Sequence, residues 1–200
     1  MPKLILASAS PGRLRLLRAA GIEPLVEVSG IAETEVPGET VAEHCLRLAT
    51  LKAEVVAANR STGLVLGADS VLDLDGAPLG KPATEAEAVA RWQSMSGRSG
   101  TLLTGHCLID AGSGRRAGAV AETVVRFGRV TDTEIRAYVA TGEPLRVAGA
   151  FTIDGFGGPF IDGVEGDPAN VVGLSLPLLR RLLAELGVEV VDLWSAPAQL

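Results

Sequence analysis

Three helix-start signals, each a Thr followed three residues later by Glu, recur along this chain: Thr40 with Glu43, Thr84 with Glu87, and Thr131 with Glu134. In such a box the hydroxyl accepts from the third residue's N–H, and the carboxylate reaches back to the capping N–H. A fourth start is Ser10 ahead of Pro11, with Gly21 as its stop. The signals predict helices over 11–21, 40–59, 84–95 and 131–141, and a last one over 177–186 before Gly187. Apolar runs between them predict strands over 3–7, 24–28, 64–68, 71–74, 100–110 and 116–130. Asp75-Gly76 reads as a hairpin turn, and Gly112-Ser113-Gly114 joins the two longest strands. Residues 142–174, rich in Gly and Pro, are expected to form strands and functional loops. Helices alternating with crossover and hairpin strands imply an α/β (mixed α+β) domain: a long twisted mixed sheet flanked by helices. An open sheet with a cleft fits better than a closed barrel.

Composition narrows the function classes. With 200 residues, 47% of them in the hydrophobic set, the chain can bury a core without staples. A single domain over 1–194 with a loose tail over 195–200 is expected. The apolar Leu4–Ala7 run is too short for a secretory signal or a membrane span, so a cytoplasmic protein without membrane contact is expected. The net charge is −6 and no block of like charges occurs, which argues against a nucleic-acid partner. Cys45 and Cys107 lie far apart in apolar surroundings and read as reduced core residues. His44 and His106 complete no metal-ligand spacing. The chain has fifteen Arg but only Lys3, Lys52 and Lys81, so a surviving Lys hints at a place needing an ammonium.

Several residues could carry chemistry. Ser8 and Ser10 offer hydroxyls at the mouth of the first helix, whose free N–H groups suit an anion. Arg13 falls in the first helical turn, where a cation is disfavoured unless a phosphate lies between it and the dipole; the alternative is an ordinary cap with a solvated Arg. The spacing Gly-x4-Gly-Lys-Ser/Thr is absent, which disfavours a Walker-type nucleotidase. Lys52 falls within about 20° of the centre of the stripe Val41, Cys45, Leu48 and Val55, so it either snorkels out or meets a buried anion. Asp69 is read as ending the strand 64–68, where α/β proteins place ligands, or as a turn residue. Lys81, in Gly80-Lys81-Pro82, is a positioned cation or an exposed loop Lys. Glu33, in a polar loop, reads on its own as solvated. Together three cations and two carboxylates match a triphosphate carrying Mg²⁺.

The ordered set Leu6-Ala7-Ser8-Ala9-Ser10-Pro11, Ala49-x-x-Lys52-Ala53, Gly67-Ala68-Asp69, Gly80-Lys81-Pro82, Ser96-Gly97, Gly142-Glu143-Pro144, Ala148-Gly149-Ala150 and Asn170-Val171-Val172-Gly173-Leu174 resembles the Maf family of nucleoside triphosphate pyrophosphatases. The resemblance runs in order from about residue 3 to 187. It implies a two-lobed fold related to the inosine triphosphate pyrophosphatases, with the substrate in a central cleft. It also implies hydrolysis between the α and β phosphates, a divalent cation (Mg²⁺ or Mn²⁺), and is compatible with a homodimer. Carried onto this chain, Ser8, Ser10 and Arg13 match the phosphate-binding loop. Lys52 and Lys81 match the triphosphate clamp, Glu33 an acidic site residue, and Asp69 the proton acceptor; Glu33 and Asp69 would hold the metal.

The chain departs from the family's branches. The pyrimidine-nucleotide branch has two arginines after the loop Pro, where this chain has Gly12 first; it has Thr after the catalytic Asp, where this chain has Ser70. Its Gln before Gly-Leu-Gly is here Asp154, before Gly155-Phe156-Gly157. The methylated-guanosine branch has a larger aromatic, a Gln and a Glu at those places. A carboxylate only accepts, which suits the paired N–H donors of guanine, provided that Asp154 faces the base and is not a turn cap; Gly12 removes bulk and charge, so a roomier, less selective pocket is the equal alternative and the base stays open. Two other classes compete: a nucleotide-binding regulator of cell division with little catalysis, and a phosphatase releasing orthophosphate.

Overall fold

The computed structural model describes residues 3–34 and 36–195. The strands are β1 (Leu4–Leu6), β2 (Leu25–Val26), β3 (Leu64–Leu74), β4 (Ala77–Leu79), β5 (Ser99–Asp110), β6 (Arg116–Phe127) and β7 (Ile161–Glu165). The helices are α1 (Pro11–Ala19), α2 (Val41–Ala57), α3 (Glu85–Met95), α4 (Asp132–Ala140), α5 (Pro168–Val172) and α6 (Leu176–Glu185). The strands form one seven-stranded sheet in the order β2-β1-β3-β5-β6-β7, with β4 added on β3. The sheet is mixed: β1 runs parallel to β2 and β3, whereas β4 is antiparallel to β3 and β7 to β6. The expected mixed α/β architecture is therefore what forms.

The capping signals hold with one exception. Thr40–Glu43 and Thr131–Glu134 close both bonds of the box. Thr84 accepts from the Glu87 N–H, but the Glu87 carboxylate instead takes the Ala83 N–H and the Arg91 guanidinium. The larger correction concerns β3. The two strands expected at 64–68 and 71–74 are one, so Asp69 lies inside a strand and does not end it. The polar pair Asp69-Ser70 interrupts the apolar run, but the backbone continues extended. β3 pairs with β1 from Leu64 to Leu66 and with β4 from Leu72 to Leu74. Asp69 falls in the stretch between, past the carboxyl end of β1.

The described residues group into two compact units. The first takes in those of Met1–Asp69, Thr104–Ala121 and Gly173–Leu200; the second takes in Ser70–Leu103 and Glu122–Val172. In the first, strand alternation sorts side chains into two layers. Leu4, Leu6, Leu64, Leu66 and Leu108 join Leu17 of α1 and Leu178, Leu179, Leu182 and Leu183 of α6. Ile5, Val65, Cys107 and Ile109 join Ala49, Ala53 and Val56 of α2. Both faces of these strands are covered, which is why β1 reads as a continuous apolar run. Cys45 and Cys107 are buried and not joined in a disulfide, as expected.

The packing of α2 is unusually close. A Cβ at Gly67 of β3 would lie 2.0 Å from the Ala49 carbonyl oxygen and 2.8 Å from the Ala53 nitrogen. One at Gly105 of β5 would lie 2.2 Å from the Cys45 carbonyl oxygen. The helix therefore rests on bare strand backbone. The buried stripe runs through Cys45, Leu48, Ala49, Lys52, Ala53 and Val56, while Val55, expected inside, is exposed.

The second unit packs α3 and α4 around Trp92. Its ring meets Phe127, Tyr138 and Phe160 edge-on at 5.4–5.8 Å, and its Nε1 donates to the Ala150 carbonyl at 2.8 Å. The tail expected over 195–200 lies, apart from Ser195, outside the described residues. No described helix is long and apolar enough to cross a membrane.

Candidate functional site

In the first unit six of the singled-out residues stand together. Asp69 is two residues beyond Gly67 on β3 and so shares the face on which α2 lies. Because the helix comes so close, the Lys52 side chain needs to travel only a short way: its Nζ donates to Asp69 Oδ1 at 2.6 Å. The same ammonium meets Glu33 Oε1 at 2.5 Å. Lys52 and Asp69 are both buried, whereas Glu33 is half-exposed. Lys52 thus meets a buried anion and does not snorkel out. The expectation that Glu33 is merely solvated is corrected, because the 29–34 loop folds back over α2. Arg47, one and a half turns before Lys52, fastens that loop. It donates to the Thr34 carbonyl at 3.0 Å and forms a two-pronged pair with Glu39 at 2.5 and 2.8 Å.

The other half of the cluster is built at the mouth of α1. Ser10 caps the helix by accepting, at a long 3.4 Å, from the Arg13 N–H. Arg13 is buried, not solvated. Its Nε donates to the Gly173 carbonyl at 2.8 Å and its Nη1 to Ser8 Oγ at 2.9 Å. Ser8 Oγ also accepts from the Ser10 N–H at 3.2 Å. With both lone pairs used, what Ser8 has to offer a ligand is its hydroxyl proton. Burial pushes the Arg13 pKa down, while the carboxylates of Asp69 and then Glu33 pull it back up. That mutual influence ties the two halves into one electrostatic cluster.

The partner of Arg13 is itself held. His106, fully buried, accepts from the Ser175 N–H through Nε2 at 2.9 Å, so its proton sits on Nδ1, 2.9 Å from the Thr104 carbonyl oxygen. It fixes the start of α6 and, two residues earlier, the Gly173 carbonyl that receives Arg13. This is the structural role expected for it. Neither Arg47 nor this use of His106 is visible in sequence spacing, because each works through a main-chain group distant in the chain, the Thr34 carbonyl for Arg47 and the Ser175 N–H for His106. A separate open depression of about 580 Å³, lined by Glu39, Leu46, Arg47 and Leu51 among others, includes none of the six clustered residues.

Lys81 and Asp154 belong to the second unit, on different loops. Lys81 is exposed, but its backbone is held on both sides. The Gly80 carbonyl accepts from the Gly149 N–H at 3.0 Å and from Arg91 Nη1 at 2.5 Å, and the Ala83 N–H donates to Glu87 at 2.8 Å. Asp154 is exposed within a loop that folds around Glu143.

No group of three or more His, Cys, Asp or Glu side chains among the described residues could hold a metal ion by itself. Two carboxylates meeting on one ammonium suit Mg²⁺ or Mn²⁺ of the kind shared with substrate phosphates and water, which needs only one or two protein carboxylates. The donor set is compatible with such an ion, and Glu33 and Asp69 are the residues that could hold it.

Comparison with known proteins places the chain in a family. Residues 3–186 match the family model described as Maf-like protein. A nucleoside triphosphate pyrophosphatase of Streptomyces coelicolor is 62% identical, covering 98% of this chain and 96% of the relative. One of Salinispora tropica is 59% identical over 96% of this chain and 88% of its own, and one of Nostoc punctiforme 50% identical over 97% and 98%. Among solved structures, a nucleoside-triphosphatase/dITP/XTP pyrophosphatase of Mycobacterium abscessus aligns over 92% of this chain and 97% of its own. Its TM-score of 0.43 and identity of 16% are too low to bear on the site. With a family match over residues 3–186 and relatives 50–62% identical across nearly its whole length, the chain belongs to the Maf family.

Proposed function

We propose that this chain is a nucleoside triphosphate pyrophosphatase that hydrolyses the α–β phosphoanhydride, giving a nucleoside monophosphate and pyrophosphate. The observation that carries the reading is the convergence of Asp69, Lys52 and Glu33 beside the buried Arg13–Ser8 pair. Relatives at 50–62% identity bearing the pyrophosphatase name support it.

In this reading Asp69 accepts a proton from water as the water oxygen bonds to the α phosphorus and the bond to the departing pyrophosphate breaks. Lys52, bonded to the Asp69 carboxylate, holds it in place. An ammonium has three donors, of which Asp69 and Glu33 take two, so the third can serve a phosphate oxygen. Arg13, the Ser8 hydroxyl and the first turn of α1 take phosphate oxygens. Glu33 and Asp69 would hold a divalent cation, which would supply neutralisation of the phosphate charge. Asp154, an acceptor only, selects bases presenting paired N–H donors, of which guanine is the type.

The test is pyrophosphate release from a panel of ordinary and modified nucleoside triphosphates with Mg²⁺ and Mn²⁺, beside Asp69→Asn. Release that disappears in Asp69→Asn while the variant stays folded supports the assignment. Orthophosphate as the first product would make the chain a phosphatase. No release from any nucleotide would leave a nucleotide-binding regulator.

A further inference from the structure

The Gly142-Glu143-Pro144 motif has no part in the chemistry above, yet Glu143 is the most heavily bonded carboxylate described in the second unit. Its Oε1 accepts from the Tyr138 hydroxyl at 2.8 Å, the Thr152 hydroxyl at 2.6 Å and the Gly157 N–H at 3.1 Å. Its Oε2 accepts from the Phe156 N–H at 3.0 Å. Three of these four donors belong to residues 152–157, the segment that carries Asp154. Only an ionised carboxylate offers acceptors on both oxygens and no donor. Partial burial pushes the Glu143 carboxyl up, but the bonds from Thr152, Phe156, Tyr138 and Gly157 outweigh it and hold the group below the ordinary glutamate value.

The glycines of the segment have the same cause. A Cβ at Gly155 would lie 2.3 Å from Glu143 Oε2, and one at Gly157 would lie 2.6 Å from the Tyr138 hydroxyl. The carboxylate and the phenol occupy the space that side chains would need. The segment is thus tied inward by its backbone while Asp154 and Phe156 are exposed, Phe156 at 67%. A loop whose Phe156 and Gly157 amides and Thr152 hydroxyl are fixed on one carboxylate, and which leaves Asp154 and Phe156 exposed, is preorganised for recognition, because less of it must be ordered on binding.

We propose that Glu143 is the positioning residue of the base-recognition loop: its carboxylate templates residues 152–157 so that Asp154 meets the edge of a guanine-type base in one defined place. The inference rests on the pyrophosphatase reading above and goes beyond it by assigning selectivity to a residue that does not itself contact the base. In the amide of Glu143→Gln one oxygen becomes an NH₂ group that faces a donor, so part of the template is lost without loss of volume.

The experiment compares the wild type, Glu143→Gln, Asp154→Asn and, as a milder lesion should Glu143→Gln fold poorly, Thr152→Val. Two quantities are read. One is hydrogen exchange at the Phe156 and Gly157 amides; the other is the ratio of kcat/KM for a guanine-type triphosphate to that for a pyrimidine triphosphate. Glu143→Gln is expected to expose both amides and to lower the ratio about tenfold through KM, with kcat changed by no more than about twofold. Asp154→Asn should lower the ratio without exposing the amides, and Thr152→Val should move both readings in the direction of Glu143→Gln by less. Exposed amides with an unchanged ratio overturn the proposal, as does an equal fall in kcat on every substrate. A ratio sensitive to Glu143→Gln but indifferent to Asp154→Asn overturns it too. Failure of the wild type to release pyrophosphate from any nucleotide is instead a failure of the underlying reading, and removes the inference with it.

Discussion

Replacing Lys52 by Met removes the ammonium that Asp69 and Glu33 share and keeps most of the side-chain volume. The two carboxylates respond differently because their surroundings differ. Glu33 is 55% exposed and returns to water, so its pair with Lys52 is worth no more than about 1 kcal/mol. Asp69, with a side chain 10% exposed, cannot recover its hydration, and removing one partner of a buried pair costs about 3–5 kcal/mol. Arg13 partly compensates Asp69, so the lower end, about 3 kcal/mol, is expected. For a chain of this size that is a fall in Tm of about 6–12 °C. Asp69→Asn should cost less, about 2 kcal/mol, because Lys52 retains Glu33. The Lys52→Met/Asp69→Asn double variant should lose no more than Lys52→Met alone, giving a coupling of about 2–3 kcal/mol. Urea and thermal denaturation followed by circular dichroism measure all four corners of the cycle. A loss below about 1 kcal/mol for Lys52→Met, or single losses that simply add, would refute the idea that Asp69 depends on this ammonium.

Other outcomes follow from the same geometry. Gly67→Ala forces a methyl group into the backbone of α2 and should cost about 3 kcal/mol or more, with turnover falling further than the loss of folded protein explains; unchanged stability would mean that the helix can retreat. Tyr138 is the single tyrosine of the chain, so its ionisation can be read alone by ultraviolet absorbance. Burial first, and then the bond to Glu143, push its pKa up from 10.0. The stability it contributes is complete below the unfolded value and is lost as pH rises through the folded one, so phenolate absorbance should lag well behind that of the denatured chain. A titration midpoint near 10 in the native protein would contradict this. Arg13→Lys cannot serve Ser8 and Gly173 from one planar fork and should raise the KM for triphosphate about tenfold, with a smaller change in kcat. An unchanged KM would exclude Arg13 from phosphate binding.

Local signals were legible in the sequence wherever the physics is local. The boxes at Thr40 and Thr131, the Ser10 cap and the Gly21 stop each involve residues within a turn of one another. Lys52 stood out because a cation broke an apolar stripe, and the stripe's phase needed only small correction at Val55. What could not be read depends on distant partners. Asp69-Ser70 looked like a strand end because no sequence pattern reveals that β3 changes partner there from β1 to β4. Glu33 is one acid among twenty-four Asp and Glu residues, and only the fold of its loop distinguishes it. Arg47, His106 and Glu143 act on main-chain groups, which have no letter in the sequence.

The resting of α2 on bare strand backbone has a consequence for how this protein can change over time. Where a helix is spaced from a sheet by side chains, every substitution in that layer shifts it slightly, and anything mounted on it drifts. Here the spacing between Lys52 and Asp69 is set by peptide groups in contact, which every amino acid shares. The leucine-rich layer under α6 can therefore turn over freely without moving the charged pair. The two glycines are therefore the positions at which a single added methyl group would push that pair out of line.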